Sequence, residues 1–171
     1  MNRTVSNILR FVLLLAIQVL VCNHVHLFGY INPHIYLLAI LLMPFEIPLT
    51  AQYLIGFFSG LVVDMFAMSL GVHASATLLV VFLRPHLVSM LNGKKKIDGI
   101  ERAIPGVKDF KWLFIYTFTL SVVHHFAAVL LEAFSFRHFL FTILSALLSA
   151  IFTTLVILCI EYMFFPLKRK S

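Results

Sequence analysis

Long apolar runs dominate this sequence and limit the folds that it can adopt. A run of about 20 residues fits the ~30 Å hydrocarbon core of a bilayer, because an α-helix rises about 1.5 Å per residue. Of the 171 residues, 61% are hydrophobic and only 12% are charged. A soluble domain of this length does not bury so much apolar surface. The sequence therefore predicts an all-α integral membrane protein, with a single transmembrane domain over residues 1–171.

Six apolar segments predict six transmembrane helices. They cover about residues 8–28, 33–48, 51–68, 72–91, 112–131 and 138–165. Pro44, Glu46 and Pro48 interrupt the second segment. We therefore expect a short or kinked helix there, with an irregular end that is shielded by protein.

The positive charges are distributed unevenly between the two predicted sides of the membrane. With six spans, both termini and the basic loop 92–111 share one side, which carries 11 of the 13 Lys and Arg residues. The positive-inside rule predicts that this side, with both termini, is cytoplasmic. The net charge of +6 is thus interpreted as a topology signal and not as a nucleic-acid-binding surface. Within the loop, Lys94, Lys95 and Lys96 are suited to contact anionic lipid.

The stretch 56–85 carries the most specific pattern in the chain. Gly56, Gly60 and Asp64 recur every four residues and so share one helical face. The glycines let another helix approach closely, and the aspartate should point into protein because a charge in hydrocarbon is costly. Gly71 follows as a helix terminator in a tight turn. A second small-residue stripe in the last segment consists of Ser145, Ser149 and Thr153.

The predicted depths of the buried charges suggest their partners. Arg84 and Glu161 lie at matching depth on the cytoplasmic side, which favours an ion pair between them. Asp64 lies level with His124 and His125, so we expect a hydrogen bond from one of these histidines. The alternative for Arg84 and Glu161 is that both side chains extend to the membrane interface.

The eight histidines show no metal-binding motif. No HxxxH or HExxH pair is present, and no second carboxylate accompanies them in sequence. Most fall at predicted helix ends, where histidine is common at an interface. No catalytic or nucleotide-binding motif is present either. We therefore predict a non-enzymatic protein without a metal or cofactor. The histidines are His24, His26, His34, His73, His86, His124, His125 and His138.

The 56–85 stretch resembles the central signature of the rod shape-determining protein MreD family. That signature is a glycine-rich helix ending in a Leu-x-x-Asp element, then a tight turn, a glycine and a second apolar helix. Gly60, Asp64 and Gly71 match it. The chain length, the early Pro-bounded segment, the central basic loop and the basic C-terminus also agree, so the resemblance covers essentially the whole chain.

This resemblance implies a non-enzymatic scaffold of the cell-elongation complex in the bacterial inner membrane. It implies contacts with MreC and the RodA–PBP2 peptidoglycan synthase, and indirectly with the actin-like MreB. The family's six-helix fold is similar to the substrate-binding subunits of energy-coupling-factor vitamin transporters, and such a subunit is the alternative function. A transporter subunit needs a polar, outward-facing pocket, whereas the candidate pocket of this chain is crowded with Phe and poor in Asn, Gln, Arg and Trp. A membrane enzyme is a third function class, which no motif supports.

Overall fold

The computed structural model describes residues 3–25, 29–92, 110–132 and 139–164, and the fold of these residues is all-α. Lys94, Lys95 and Lys96 lie outside the described residues, so their contact with lipid stays a prediction. The helices are α1 (Arg3–Leu20), a short 3-10 helix (Cys22–His24), α2 (Tyr36–Leu41), α3 (Leu49–Ala67), α4 (Val72–Asn92), α5 (Phe110–Glu132) and α6 (Phe139–Phe164).

Five helices are long and apolar enough to cross a membrane. In the apolar stretch of each of these helices, only 22% to 39% of the residues are buried inside the protein, so most of the helix surface faces outward. Large apolar side chains cover this surface, among them Leu13, Phe66, Phe82 and Leu144. By length and composition, the chain is a multi-pass membrane protein.

The interior of the bundle carries many polar side chains. In a soluble protein, most side chains of these types lie at the surface. Lipid offers no hydrogen-bond partners, so polar groups in a membrane-spanning bundle must find them inside it. The buried polar residues include Gln18, His34, Gln52, Asp64, His73, Thr77, Arg84, Ser121, His124, His125, Ser149, Thr153 and Glu161.

The second predicted span is a short helix with irregular flanks. Of the predicted range 33–48, only the six residues of α2 are helical, and all six are buried. Six residues extend about 9 Å, which is too short to cross a bilayer as a helix. The described residues therefore contain five membrane-length helices rather than six. The apolar side chains of α2 form the centre of the core, where Val80 of α4 and Leu120 of α5 belong to the same cluster.

The irregular second segment nevertheless extends along much of the bundle. His34 contacts His73 at the start of α4, while the carbonyl oxygens of Leu41 and Met43 contact Arg84 further along α4. His73 and Arg84 are separated by a rise of about 17 Å on that helix. The segment therefore runs beside α4 for more than half the thickness of a ~30 Å hydrocarbon core.

Helices α1 and α6 run in opposite directions. Gln18, near the end of α1, and Ser145, near the start of α6, both contact the loop before α2. Arg10 and Glu161, near the other ends of these helices, lie close enough to interact electrostatically. The beginning of α1 and the end of α6 therefore lie at the same end of the bundle.

Candidate functional site

The turn between α3 and α4 depends on two left-handed residues. Met68 has φ 54° and Gly71 has φ 76°, and only glycine adopts this conformation without strain from a Cβ atom. The backbone carbonyl oxygen of Asp64 accepts hydrogen bonds from the N–H groups of Met68 and Ser69, which closes the end of α3. The left-handed conformation at position 71 therefore explains why a glycine is found there.

The Asp64 carboxylate joins the end of α3 to the start of α4. Its Oδ1 accepts hydrogen bonds from the Ser69 hydroxyl at 2.6 Å and the His73 N–H at 2.9 Å, and Oδ2 accepts one from the Ala74 N–H at 2.9 Å. These backbone groups belong to the first turn of α4, where no intrahelical partner exists and negative charge is favourable. Asp64 thus caps α4 from the preceding helix.

Gly56 and Gly60 face α4 of the same chain. A Cβ atom on Gly60 would overlap backbone atoms, lying 2.6 Å from both the Ala74 nitrogen and the His73 carbonyl oxygen. A Cβ atom on Gly56 would lie 2.8 Å from a methyl group of Val81, which is a side chain and can move. Of the two glycines, Gly60 is therefore the one where the backbones of α3 and α4 are in direct contact.

Four histidines form a buried histidine cluster: His34, His73, His124 and His125. His34 Nε2 lies 3.2 Å from His73 Nε2, and His34 Nδ1 lies 3.0 Å from His125 Nε2. His73 Nδ1 lies 3.0 Å from the Asp64 carboxylate. One ring nitrogen from each of His34, His124 and His125 lies within 4.8 Å of the other two, so these three residues could hold a metal ion. The histidine cluster therefore combines potential metal ligands with a nearby carboxylate.

Neighbouring groups fix the orientation of the two α5 histidines. His125 Nδ1 lies 2.8 Å from the Ser121 carbonyl oxygen, which can only accept a hydrogen bond. His124 Nε2 lies 2.7 Å from the Tyr36 hydroxyl, which in turn contacts the Thr77 hydroxyl at 2.9 Å. The buried Nδ1 atom of His124 has no hydrogen-bond partner among the described residues. His124 is therefore held through Nε2 alone, whereas His125 is held at both nitrogens, since its Nε2 also lies 3.3 Å from the Asn32 carbonyl oxygen and 3.3 Å from Thr153 Oγ1.

The small-residue stripe of α6 satisfies the backbone of the loop before α2. Residues four apart on a helix rise about 6 Å, close to the rise of about 6.6 Å for two residues of extended chain. Three hydroxyls can therefore meet alternate residues of the loop, as backbone inside a membrane protein requires. The contacts join Ser145 Oγ to the Tyr30 carbonyl oxygen (2.5 Å), the Asn32 N–H to Ser149 Oγ (3.1 Å) and the His34 N–H to Thr153 Oγ1 (3.1 Å).

A second polar group, the arginine centre, surrounds the fully buried Arg84. Its Nε donates to the Tyr116 hydroxyl at 3.1 Å, and Nη1 donates to Gln52 Oε1 at 3.2 Å. Its Nη2 donates to the carbonyl oxygens of Leu41 at 3.1 Å and Met43 at 2.7 Å. Leu41 is the last residue of α2 and Met43 lies just beyond it, at the helix end where a cation is favourable. Arg84 therefore caps α2.

Neither predicted pairing of the buried charges is present among the described residues. The Arg84–Glu161 hypothesis is wrong: Arg84 bonds to the arginine centre, and Glu161 lies near Arg10, with its Oε1 atom lacking a hydrogen-bond partner. Asp64 does not contact His124 or His125 directly. It contacts His73, and it is linked to His125 only through His73 and His34. Asp64 does lie near the histidines, as its depth suggested, but its direct partner His73 belongs to α4 and not to α5.

Sequence spacing did not reveal the histidine cluster, because its members come from three separate parts of the chain. His34 precedes α2, His73 lies in the first turn of α4, and His124 and His125 lie within α5. The sequence analysis assigned most histidines to helix ends at the membrane interface. His34 and His73 do lie near helix ends, but both are buried. The only indication of the cluster in the sequence was the matching depth of His124, His125 and Asp64. Any histidine at that depth would give the same indication, so it did not identify the members of the cluster.

A cavity of about 370 Å³ lies at the end of the bundle opposite the histidine cluster. Apolar side chains form most of its wall. Two charged residues, Arg10 and Glu46, also line it. The other lining residues are Asn7, Ile8, Phe11, Ala39, Leu42, Met43, Pro44, Ile47 and Ile55.

Comparison with known proteins adds no relative to this geometry: no family model, no curated protein and no solved structure matches the chain.

Proposed function

We propose that this protein is a non-enzymatic scaffold of the bacterial cell-elongation complex in the inner membrane. In this function it contacts MreC and the RodA–PBP2 synthase, and MreB indirectly. The observation that carries the proposal is the structural use of the signature residues. Gly60 lets α3 approach α4, Asp64 caps α4, and Gly71 permits the turn. All three build the tight helical hairpin of α3 and α4, which suits a protein that acts by presenting surfaces.

The outer faces of the helices are the surfaces available to lipid and to partner proteins. They are almost entirely apolar, whereas the buried polar groups bond largely to one another. In a membrane, a partner helix recognises such a face by shape and close packing, because lipid is as apolar as the helix. Contact between transmembrane helices is therefore the mode of binding that we propose.

In this function the chain crosses the membrane six times, with both termini in the cytoplasm. Five crossings use the long helices, and the segment around α2 makes the sixth. The antiparallel arrangement of α1 and α6 supports an even number of crossings. Reporter fusions at Lys95 and Ser171 should both report the cytoplasm, and a fusion near Asn32 should report the outside. Opposite locations for Lys95 and Ser171 would exclude six crossings.

A vitamin-transporter subunit remains the alternative, but the cavity argues against it. A vitamin site should open outward and present several polar groups. The cavity lies beside Asn7, Arg10 and Glu46, at the end that the charge distribution assigns to the cytoplasm, and its wall is mainly apolar. The arrangement therefore favours the scaffold.

The test is co-purification of the tagged chain from native membranes in mild detergent. The scaffold function predicts recovery of MreC or RodA–PBP2. Gly60→Leu should lose these partners because it forces α3 and α4 apart, whereas Gly56→Ala should retain them because Val81 can move. Recovery of ATPase-linked coupling subunits, with neither MreC nor the synthase, would instead assign the protein to transport.

A further inference from the structure

We propose that the histidine cluster binds one divalent transition-metal ion, with His34, His124 and His125 as its ligands and zinc as the best fit. Imidazole nitrogen is a preferred ligand of zinc, copper, iron and nickel. Three histidines with one open position is the ligand set of many zinc sites. This inference is independent of the scaffold function, since it uses only the buried side chains of one chain.

The distances in the cluster suit a tetrahedral ion. With zinc–nitrogen bonds of about 2.0–2.1 Å, two ligand nitrogens lie about 3.3 Å apart. His34 Nδ1 and His125 Nε2 are already 3.0 Å apart, and one ring nitrogen from each of the three histidines lies within 4.8 Å of the other two. A movement of up to about 1.5 Å by one buried ring therefore brings the three nitrogens to tetrahedral spacing.

The hydrogen-bond chain through the cluster is one hydrogen short when its three imidazoles are neutral. Four contacts connect Asp64, His73, His34, His125 and the Ser121 carbonyl in that order. The carboxylate and the carbonyl at the two ends can only accept hydrogen bonds, so the four contacts require four N–H hydrogens. Three neutral imidazoles supply three. One contact therefore brings two lone pairs together unless a further cation is present.

The vacant contact falls between the proposed ligands when the ends of the chain are satisfied. Donation from His73 to Asp64 and from His125 to Ser121 leaves His34 Nε2–H to donate to His73. His34 Nδ1 and His125 Nε2 then face each other with their lone pairs at 3.0 Å. A metal ion between them converts this repulsion into two coordinate bonds.

The surrounding groups have the arrangement expected around metal ligands. Metal-binding histidines usually donate their second N–H to a carboxylate, a carbonyl or another fixed acceptor, which orients the ring. His34 has His73 and then Asp64 on this side, His125 has Ser121, and His124 has the Tyr36 hydroxyl. In addition, His124 Nδ1 is buried with no hydrogen-bond partner among the described residues, which leaves a nitrogen available.

The competing explanation is that the missing cation is a proton. In that case His73 is an imidazolium paired with Asp64, at 3.0 Å, and no metal binds. Both explanations satisfy the hydrogen-bond chain, but only the metal explanation requires His124 as a third ligand. His124 lies outside that chain, so its replacement separates them.

The test uses the full-length chain in detergent, purified with a tag that contains no histidine and stripped with a chelator. Addition of Co²⁺ as a spectroscopic substitute should give one bound ion per chain and the intense visible bands of a tetrahedral site. His124→Gln should weaken binding at least tenfold, a loss that even outer-shell changes can cause. The control is His86→Ala, an exposed histidine that should bind as the wild type does.

The wild-type spectrum decides the proposal even if a variant fails to fold. Absence of a bound ion, or a weak spectrum of octahedral aquated cobalt, would overturn the metal site in favour of the proton. Tyr36→Phe gives a second variant, since it keeps the ring and removes the hydroxyl partner of His124. It should bind Co²⁺ more weakly than the wild type. Unchanged binding in folded His124→Gln would also overturn the proposal.

Discussion

The arginine centre and the histidine cluster lie at opposite ends of α2, and they satisfy buried polar groups in different ways. At the C-terminal end of α2, all three nitrogens of Arg84 have fixed acceptors, and its guanidinium also lies 4.5 Å from the centre of the Phe45 ring. At the N-terminal end, the histidine cluster has more acceptors than its neutral rings have hydrogens. One region is complete within the chain, whereas in the other one contact lacks a hydrogen when the rings are neutral, and we propose that a metal ion binds there.

This difference shows that a buried charge does not need an opposite charge. The guanidinium of Arg84 is compensated by the carbonyl dipoles at the end of α2, by an amide oxygen and by a hydroxyl. These partners have fixed protonation, so the arginine centre has a single arrangement. Histidine can donate or accept at either nitrogen, so the cluster has several. We therefore assign a structural role to the first region and a binding role to the second.

Replacement of Arg84 should have the largest effect on stability. Arg84→Leu leaves buried carbonyl, amide and hydroxyl oxygens without donors, and removal of one side of a buried charged network costs about 3–5 kcal/mol. Thermal unfolding in detergent should show this loss, whereas the exposed control His86→Ala should change stability by less than about 0.5 kcal/mol. A stable Arg84→Leu protein would mean that α2 is held without the arginine centre.

A charge exchange tests whether Arg84 acts alone. Because Arg84 and Glu161 belong to different groups of contacts, Arg84→Glu and Glu161→Arg should each destabilise, and the double variant should recover none of the loss. Unfolding temperatures of the two single variants and the double variant measure the coupling. Partial recovery in the double variant would restore the ion pair suggested by their matching depth.

The next largest effect is expected where the hairpin is tightest. Gly60→Leu must displace the α4 backbone at Ala74 and His73, and overpacking of this kind costs about 1–3 kcal/mol. It should also weaken cobalt binding, because His73 supports His34. Gly56→Ala is the matched control, since it meets only the Val81 side chain. Equal unfolding temperatures for the two variants would contradict the close backbone approach.

A smaller effect is expected from the small-residue stripe of α6, whose hydroxyls bond to the loop before α2 and position His34. Ser149→Ala removes the acceptor of the Asn32 N–H, and loss of a partly buried hydrogen bond costs about 1 kcal/mol. Ser75→Ala is the control, because Ser75 is exposed and its hydroxyl bonds only within its own helix turn. Thermal unfolding of the two variants should separate them. A larger loss of stability for Ser75→Ala than for Ser149→Ala would show that the α6 hydroxyls do not hold the loop.

The sequence predicted the long helices and their close contacts better than the polar groups inside. Apolar length identified the membrane helices, and the four-residue spacing of Gly56 and Gly60 predicted a close approach, which occurs against α4. Spacing within one helix could not say which other segments face Arg84, because Leu41 and Met43 contribute only backbone oxygens. A backbone acceptor has no side-chain signature, so depth alone suggested the wrong partner.

The difference between the two regions is tested most directly by the dependence of stability on zinc. A ligand that binds only the folded chain stabilises it by about 2.7 kcal/mol at 100 times its dissociation constant. We predict a zinc-dependent rise in the unfolding temperature of the wild type and of His86→Ala, and no rise for His34→Gln. A wild type that is equally stable with zinc and with a chelator, or a His34→Gln variant that zinc stabilises as much as the wild type, would contradict the assignment of an incomplete histidine cluster beside a complete arginine centre.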